Sequence, residues 1–91
     1  MSLKILIPTP LRKMTADADV VIVETGTIGE IIASVDGLHP GFRDRICDEA
    51  GKLRRFINIY VDGEDVRFLD DLQTVVAEGA EVSIVPAIAG G

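Results

Sequence analysis

The chain has no tryptophan, one tyrosine, one cysteine and one histidine among its 91 residues. A single cysteine excludes an internal disulfide, and without ligand companions at a fixed spacing it excludes a structural zinc site. With three phenylalanines as the only other aromatics, the core has to be built from Ile, Val and Leu. Positive charge is scarce too: nine Lys and Arg stand against fifteen Asp and Glu, a net charge of −6. Phosphate backbones select basic faces, so nucleic acid is not an expected partner. Long apolar runs are missing as well. Leu3–Ile7 is stopped by Pro8, far short of a membrane span or a signal peptide, and a cytoplasmic protein that meets no membrane is expected.

Catalytic constellations are also absent. No Ser/His/Asp set, cluster of metal ligands or phosphate-cradling glycine loop can be assembled, so no catalytic residue, bound metal or bound cofactor is predicted. His39 stands before Pro40, away from any nucleophile, and reads as a loop residue. Cys47, beside Ile46, reads as a small core residue. Gly26-x-x-Gly29 is too short for a nucleotide motif and fits the start of a helix.

What is present is a well-patterned single domain. A chain of this size buries roughly 60–65% of its unfolded surface, and 47% apolar residues suffice for one core. Leu3–Ile7 and Val20–Val23 read as strands, the second apolar on both faces. Thr27-Ile28-Gly29-Glu30 has the capping-box form, and Ile28, Ile31, Ile32 and Val35 follow at helical spacing. That predicts an amphipathic helix from Thr27 to about Val35, with Gly37 as its stop. Phe42 and Ile46 point inward from a short helix, and Arg43, Arg45, Lys52, Arg54 and Arg55 form the one basic concentration. Phe56–Val61 is the strongest strand; Asp62-Gly63 signals a hairpin, with a return strand over Asp65–Phe68. After the Glu78-Gly79 turn, Val82–Val85 is the last strand, and Pro86 is expected to end its ladder. The pattern alone gives an α+β domain with its topology open.

The final residues organise the rest. Residues 1–86 form the predicted domain, and Ala87-Ile88-Ala89-Gly90-Gly91 is expected to be a flexible tail with too little surface to order itself. Gly90-Gly91 passes a narrow channel because it carries no side chains, and it presents an unhindered α-carboxylate. The run Glu78-Gly79-Ala80-Glu81-Val82-Ser83-Ile84-Val85-Pro86-Ala87-Ile88-Ala89-Gly90-Gly91 resembles the C-terminus of the ubiquitin-like sulfur carriers of thiamine, molybdopterin and cysteine biosynthesis, the ThiS/MoaD-like family. Ala80 departs from the Asp the family often has there, which touches the turn alone. From Gly51 to Phe68 the chain looks most like the CysO-like branch, whose carriers serve cysteine biosynthesis.

The resemblance implies a β-grasp fold, a mixed sheet of about five strands with one main helix on one face and the first and last strands paired in parallel at its centre. It implies a carrier without catalytic activity of its own. An E1-like adenylyltransferase/sulfurtransferase, using ATP, activates the carboxylate of Gly91 while recognising Gly90 and Ala89, and a sulfur donor then leaves a thiocarboxylate. In the CysO-like branch the acceptor is a pyridoxal-phosphate cysteine synthase, and a zinc peptidase releases the product; in other branches the acceptor is a molybdopterin precursor or a thiazole synthase. Two further readings stay open, a modifier conjugated to lysines and a permanent small subunit of molybdopterin synthase. Strand alternation places Phe56, Tyr60, Leu6 and Val85 on the sheet face away from the main helix, either as a partner-docking face or as a second core under residues 39–52.

Overall fold

The computed structural model describes residues 1–86. The chain opens with β1 (Ser2–Leu6), passes through a 3-10 turn at Thr9–Thr15, and returns as β2 (Val20–Glu24). A two-residue β3 (Gly26–Thr27) leads into α1 (Ile28–Leu38), followed by the short α2 (Phe42–Ile46). Then come β4 (Ile57–Val61), β5 (Glu64–Asp65), two 3-10 turns at Val66–Phe68 and Asp71–Gln73, β6 (Val75–Val76) and β7 (Glu81–Pro86). The main sheet has the order β2-β1-β7-β4-β5. β7 lies at its centre, parallel to β1 through Lys4↔Glu81, Ile5↔Val82 and Leu6↔Ser83, and antiparallel to β4. All other pairs in this sheet are antiparallel. A five-strand mixed sheet with parallel terminal strands and a helix across one face is the β-grasp arrangement that the C-terminal resemblance implied.

The start of α1 is set locally. Thr27 Oγ1 accepts the Glu30 N–H at 3.2 Å while the Glu30 carboxylate accepts the Thr27 N–H at 2.9 Å. The capping box is closed, and Gly26 and Gly29 serve the helix start as expected. Gly37 does not stop the helix: it lies within α1, in open space, and His39 is the C-cap, its N–H donating to the Val35 carbonyl at 2.7 Å. Glycine in a final turn costs helix propensity but breaks nothing unless the backbone turns left-handed there.

The core fills one side of the sheet. Leu3, Ile5, Ile7, Val21, Val23, Ile59, Val82 and Ile84 face Ile28, Ile31, Ile32 and Val35 of α1 within one buried cluster. Phe42 and Ile46 join it fully buried, because α2 packs beside α1. Residues 39–52 therefore belong to the helix layer and form no second core beneath the opposite face.

The hairpin after β4 turns on Asp62 and Gly63 at φ +49° and +89°, the pair of positive angles that a tight primed turn requires. The predicted return strand over Asp65–Phe68 is cut to Glu64–Asp65. Asp65 Oδ1 accepts the Arg67 N–H at 2.9 Å and starts a 3-10 turn, which leaves Phe68 88% exposed. β3 and β6 pair as a separate two-stranded ladder, Gly26↔Val76 and Thr27↔Val75, that bridges the start of α1 to the chain before β7.

Candidate functional site

The candidate site is assembled from β7, the strands beside it and the loop that leads into β4. β7 carries Val82 and Ile84 into the core and turns Glu81, Ser83 and Val85 to the other face. Pro86 itself pairs with Ile57, so the described ladder runs to the proline, one residue past the predicted strand Val82–Val85. A proline is tolerated at a strand end, where no further donor is needed. Gly91, Gly90 and Ala89, the residues expected to be activated and recognised, and the flexibility expected of 87–91, lie outside the described residues.

On the face opposite α1, the register aligns Val20, Leu6, Ser83, Tyr60 and Asp65 across all five strands. The neighbouring pair Asn58 and Val85 continues this surface toward Pro86. No described element lies over it. Leu6 and Tyr60 are half-buried by their neighbours, and Val85 is 42% exposed. The structure thus brings Leu6, Tyr60 and Val85 onto one open face, as alternation predicted. Phe56 differs: it sits in a turn one residue before β4, where the period of the strand does not reach. It lines a cleft of about 740 Å³ with Leu11, Asp44, Arg45, Arg55 and Pro86, at the end of the sheet where the last five residues begin.

An arginine relay braces that end. Arg67 donates to Asn58 Oδ1 at 2.6 Å and to the Arg54 carbonyl at 2.8 Å. Arg54 in turn donates through Nε to the Asp44 carbonyl of α2 at 2.9 Å, and its backbone N–H bonds the Ile46 carbonyl. Arg55 lies over the Phe56 ring, 5.6 Å from its centroid. Among the described residues the one ion pair joins the N-terminal ammonium to Glu24, so the Arg54 and Arg67 guanidinium groups are held by carbonyl oxygens, with Asp44 and Asp48 lining the same cleft. The sequence marked the basic cluster but gave no means to see that Arg67, nine residues past Asn58, joins it.

Cys47 is buried, and burial pushes its thiol above the usual value, opposite to what a nucleophilic thiolate requires. Among the described residues no group of three or more His, Cys, Asp or Glu is placed to hold a metal, and no helix is long and apolar enough to cross a membrane.

Comparison with known proteins gives the same reading over the whole length. The ThiS family profile matches residues 5–91. The sulfur carrier protein CysO of Mycobacterium tuberculosis is 42% identical over an alignment of 93 residues that spans all of both chains. A putative sulfur carrier protein of Archaeoglobus fulgidus is 34% identical over 91 residues, again all of both chains. Among solved structures, a chain of the Amycolatopsis orientalis BexX/CysO complex superposes with a TM-score of 0.92 at 43% identity, covering 98% of this chain and 99% of that one. With parallel terminal strands, an open sheet face and a central strand leading to a Gly-Gly sequence, the chain belongs to the ThiS family of sulfur carriers.

Proposed function

We propose that this carrier delivers sulfur for cysteine biosynthesis on the carboxylate of Gly91. The observation that carries this reading is the full-length similarity to CysO carriers, which runs through Gly90-Gly91. The chemistry follows from the group. A carboxylate is resonance-stabilised and its oxygen leaves poorly, so an ATP-dependent partner first makes the acyl-adenylate and releases pyrophosphate. A sulfide-level donor then attacks the carbonyl carbon; a C–S bond forms, the C–O bond to AMP breaks, and a thiocarboxylate and a proton remain. The thiocarboxylate sulfur is a soft nucleophile for a sulfur-accepting synthase, and a pyridoxal-phosphate cysteine synthase is the acceptor proposed here, with a zinc peptidase releasing the product.

Reach supports a docking role for the open face. Five residues beyond Pro86 extend at most about 17 Å, so an activating enzyme has to grip the domain close to Pro86. Leu6, Tyr60 and Val85 supply apolar contact at that distance, and Phe56 with Arg55 flanks it across the cleft. The residues of the domain bind and orient; the partner supplies the catalytic groups.

Intact-mass measurement tests the proposal. With ATP, a sulfide donor and the cognate adenylyltransferase, the mass is expected to rise by the difference between sulfur and oxygen. Deleting Gly91 should abolish that rise and leave thermal stability unchanged, because the reacting carbon retreats by about 3.5 Å from the ATP α-phosphate. Sulfur acquired without Gly91 overturns the proposal, and high-mass adducts on lysines in place of a thiocarboxylate favour a protein modifier.

A further inference from the structure

We propose that the outer edge of β2, with the groove between it and α1, binds an extended apolar peptide segment with Lys or Arg at its ends, which adds to the sheet as a sixth strand.

The two edges of the sheet are finished differently. β5 is two charged residues long and passes at once into a 3-10 turn, so it gives a neighbouring chain little to pair with. β2 is five residues long, Val20-Val21-Ile22-Val23-Glu24, with four β-branched residues in a row and no Lys or Pro to blunt it. The phase of its ladder is fixed at both ends: Thr25 N–H donates to the Met1 carbonyl, and Ile7 N–H to the Asp19 carbonyl. Antiparallel bonding alternates along a strand, so Val21 and Val23 turn their backbone groups toward β1. Val20, Ile22 and Glu24 then direct three N–H and three C=O groups outward, and no described residue bonds them.

Side chains at this edge are shaped for the same ligand. A groove of about 400 Å³ runs between β2 and α1, bordered by Ile22, Val23, Glu24, Ser34 and Leu38. Ile22 and Leu38 are each 61% exposed, on the two sides of the edge where alternate side chains of an added strand fall. Charge selects the ends of the peptide. Asp19 precedes β2 and Glu24 ends it, Glu24 sharing its carboxylate with the N-terminal ammonium at 3.3 Å and Lys4 lying in register beside Ile22. Residues 14–42 add Asp17, Glu30 and Asp36 and no Lys or Arg, whereas six of the nine basic side chains lie between Arg43 and Arg67. A second copy of this chain would bring two acidic edges together, so a basic-ended partner segment is the favoured occupant. This edge is remote in the strand order from β4 and from the cleft at Pro86, and its occupancy leaves Leu6, Tyr60 and Val85 open.

The test is a ¹⁵N NMR titration with the capped synthetic peptide Lys-Val-Thr-Ile-Thr-Val-Lys, beside the same peptide with Glu at both ends. The amides of Val20, Ile22 and Glu24 are expected to shift and to gain protection from hydrogen exchange, and the Glu-ended peptide to bind about tenfold more weakly. Ile22→Pro removes an outward N–H that β1 does not use, and is expected to abolish protection at the edge with the other cross-strand amides retained. Leu38→Lys, on the exposed side of α1, should weaken binding about tenfold and keeps the test decisive if the proline variant fails to fold. Any of four results overturns the proposal: no shift at millimolar peptide, equal binding of the two peptides, shifts confined to Tyr60 and Val85, or β2 protection that rises with carrier concentration in the absence of peptide.

Discussion

The two faces of the sheet share the same strands and are furnished for opposite purposes. Toward α1 the strands present Leu3, Ile5, Ile7, Val21, Ile59, Val82 and Ile84, all closed into the core. On the other side, Leu6, Tyr60 and Val85 alternate with Lys4, Ser83 and Asn58, and nothing described covers them. One face closes the core; the other is left half-buried to exposed. Under the proposed function, a carrier that meets an activating enzyme and then an acceptor would use that separation, with the open face formed before either partner arrives.

Substitutions sharpen the contrast. Phe42→Ala, beneath the helix layer, should have the largest effect on stability, a loss of about 3–5 kcal/mol in denaturant unfolding, because a fully buried ring leaves a cavity. Sulfur loading by the fraction that remains folded should be unchanged, and a loading defect in excess of the unfolded fraction would break the separation of the faces. Arg67→Ala removes the donors to Asn58 and to the Arg54 carbonyl at the boundary between the faces. It should cost about 2 kcal/mol and also weaken binding of the activating enzyme, measured by calorimetry, as the loop beside Phe56 loosens. Thr27→Ala opens the capping box and should cost about 1 kcal/mol with partner affinity intact. Val85→Ser should change stability by less than about 1 kcal/mol yet weaken the activating enzyme about tenfold. If Val85→Ser binds normally while Thr27→Ala does not, the assignment of the faces is wrong.

Legibility in the sequence followed the range over which each feature is encoded. α1 was readable because Thr27, Glu30 and the 3.6-residue spacing of Ile28, Ile31, Ile32 and Val35 all act within one helix, and the hairpin because Asp62-Gly63 is a two-residue instruction. The inward placement of Phe42 and Ile46 was also local. The β3–β6 ladder was invisible: two residues on each side are too few for a periodicity, and the strands are brought together by the folded chain. The shortened β5 was misread because Val66 and Phe68 alternate like a strand, whereas the Asp65 side chain captures the Arg67 N–H and turns the backbone. At the candidate site, Leu6, Tyr60 and Val85 were given by alternation, but Phe56 was carried one residue beyond the strand that would have oriented it. The parallel meeting of β1 and β7, about eighty residues apart in sequence, came from family resemblance; local pattern holds no information at that separation.

The central position of β7 also gives the carrier a mechanical character. A pull applied at Pro86, as the proposed function would require of a partner, acts along the axis of a strand bonded on both flanks, to β1 and to β4. Force in that direction shears the two ladders together and cannot peel them open one bond at a time, as it would for a strand at the sheet's edge. The chain beyond Pro86 is therefore joined to the domain through a strand whose loading is shared by two ladders, so a load at that point is spread across the body of the sheet.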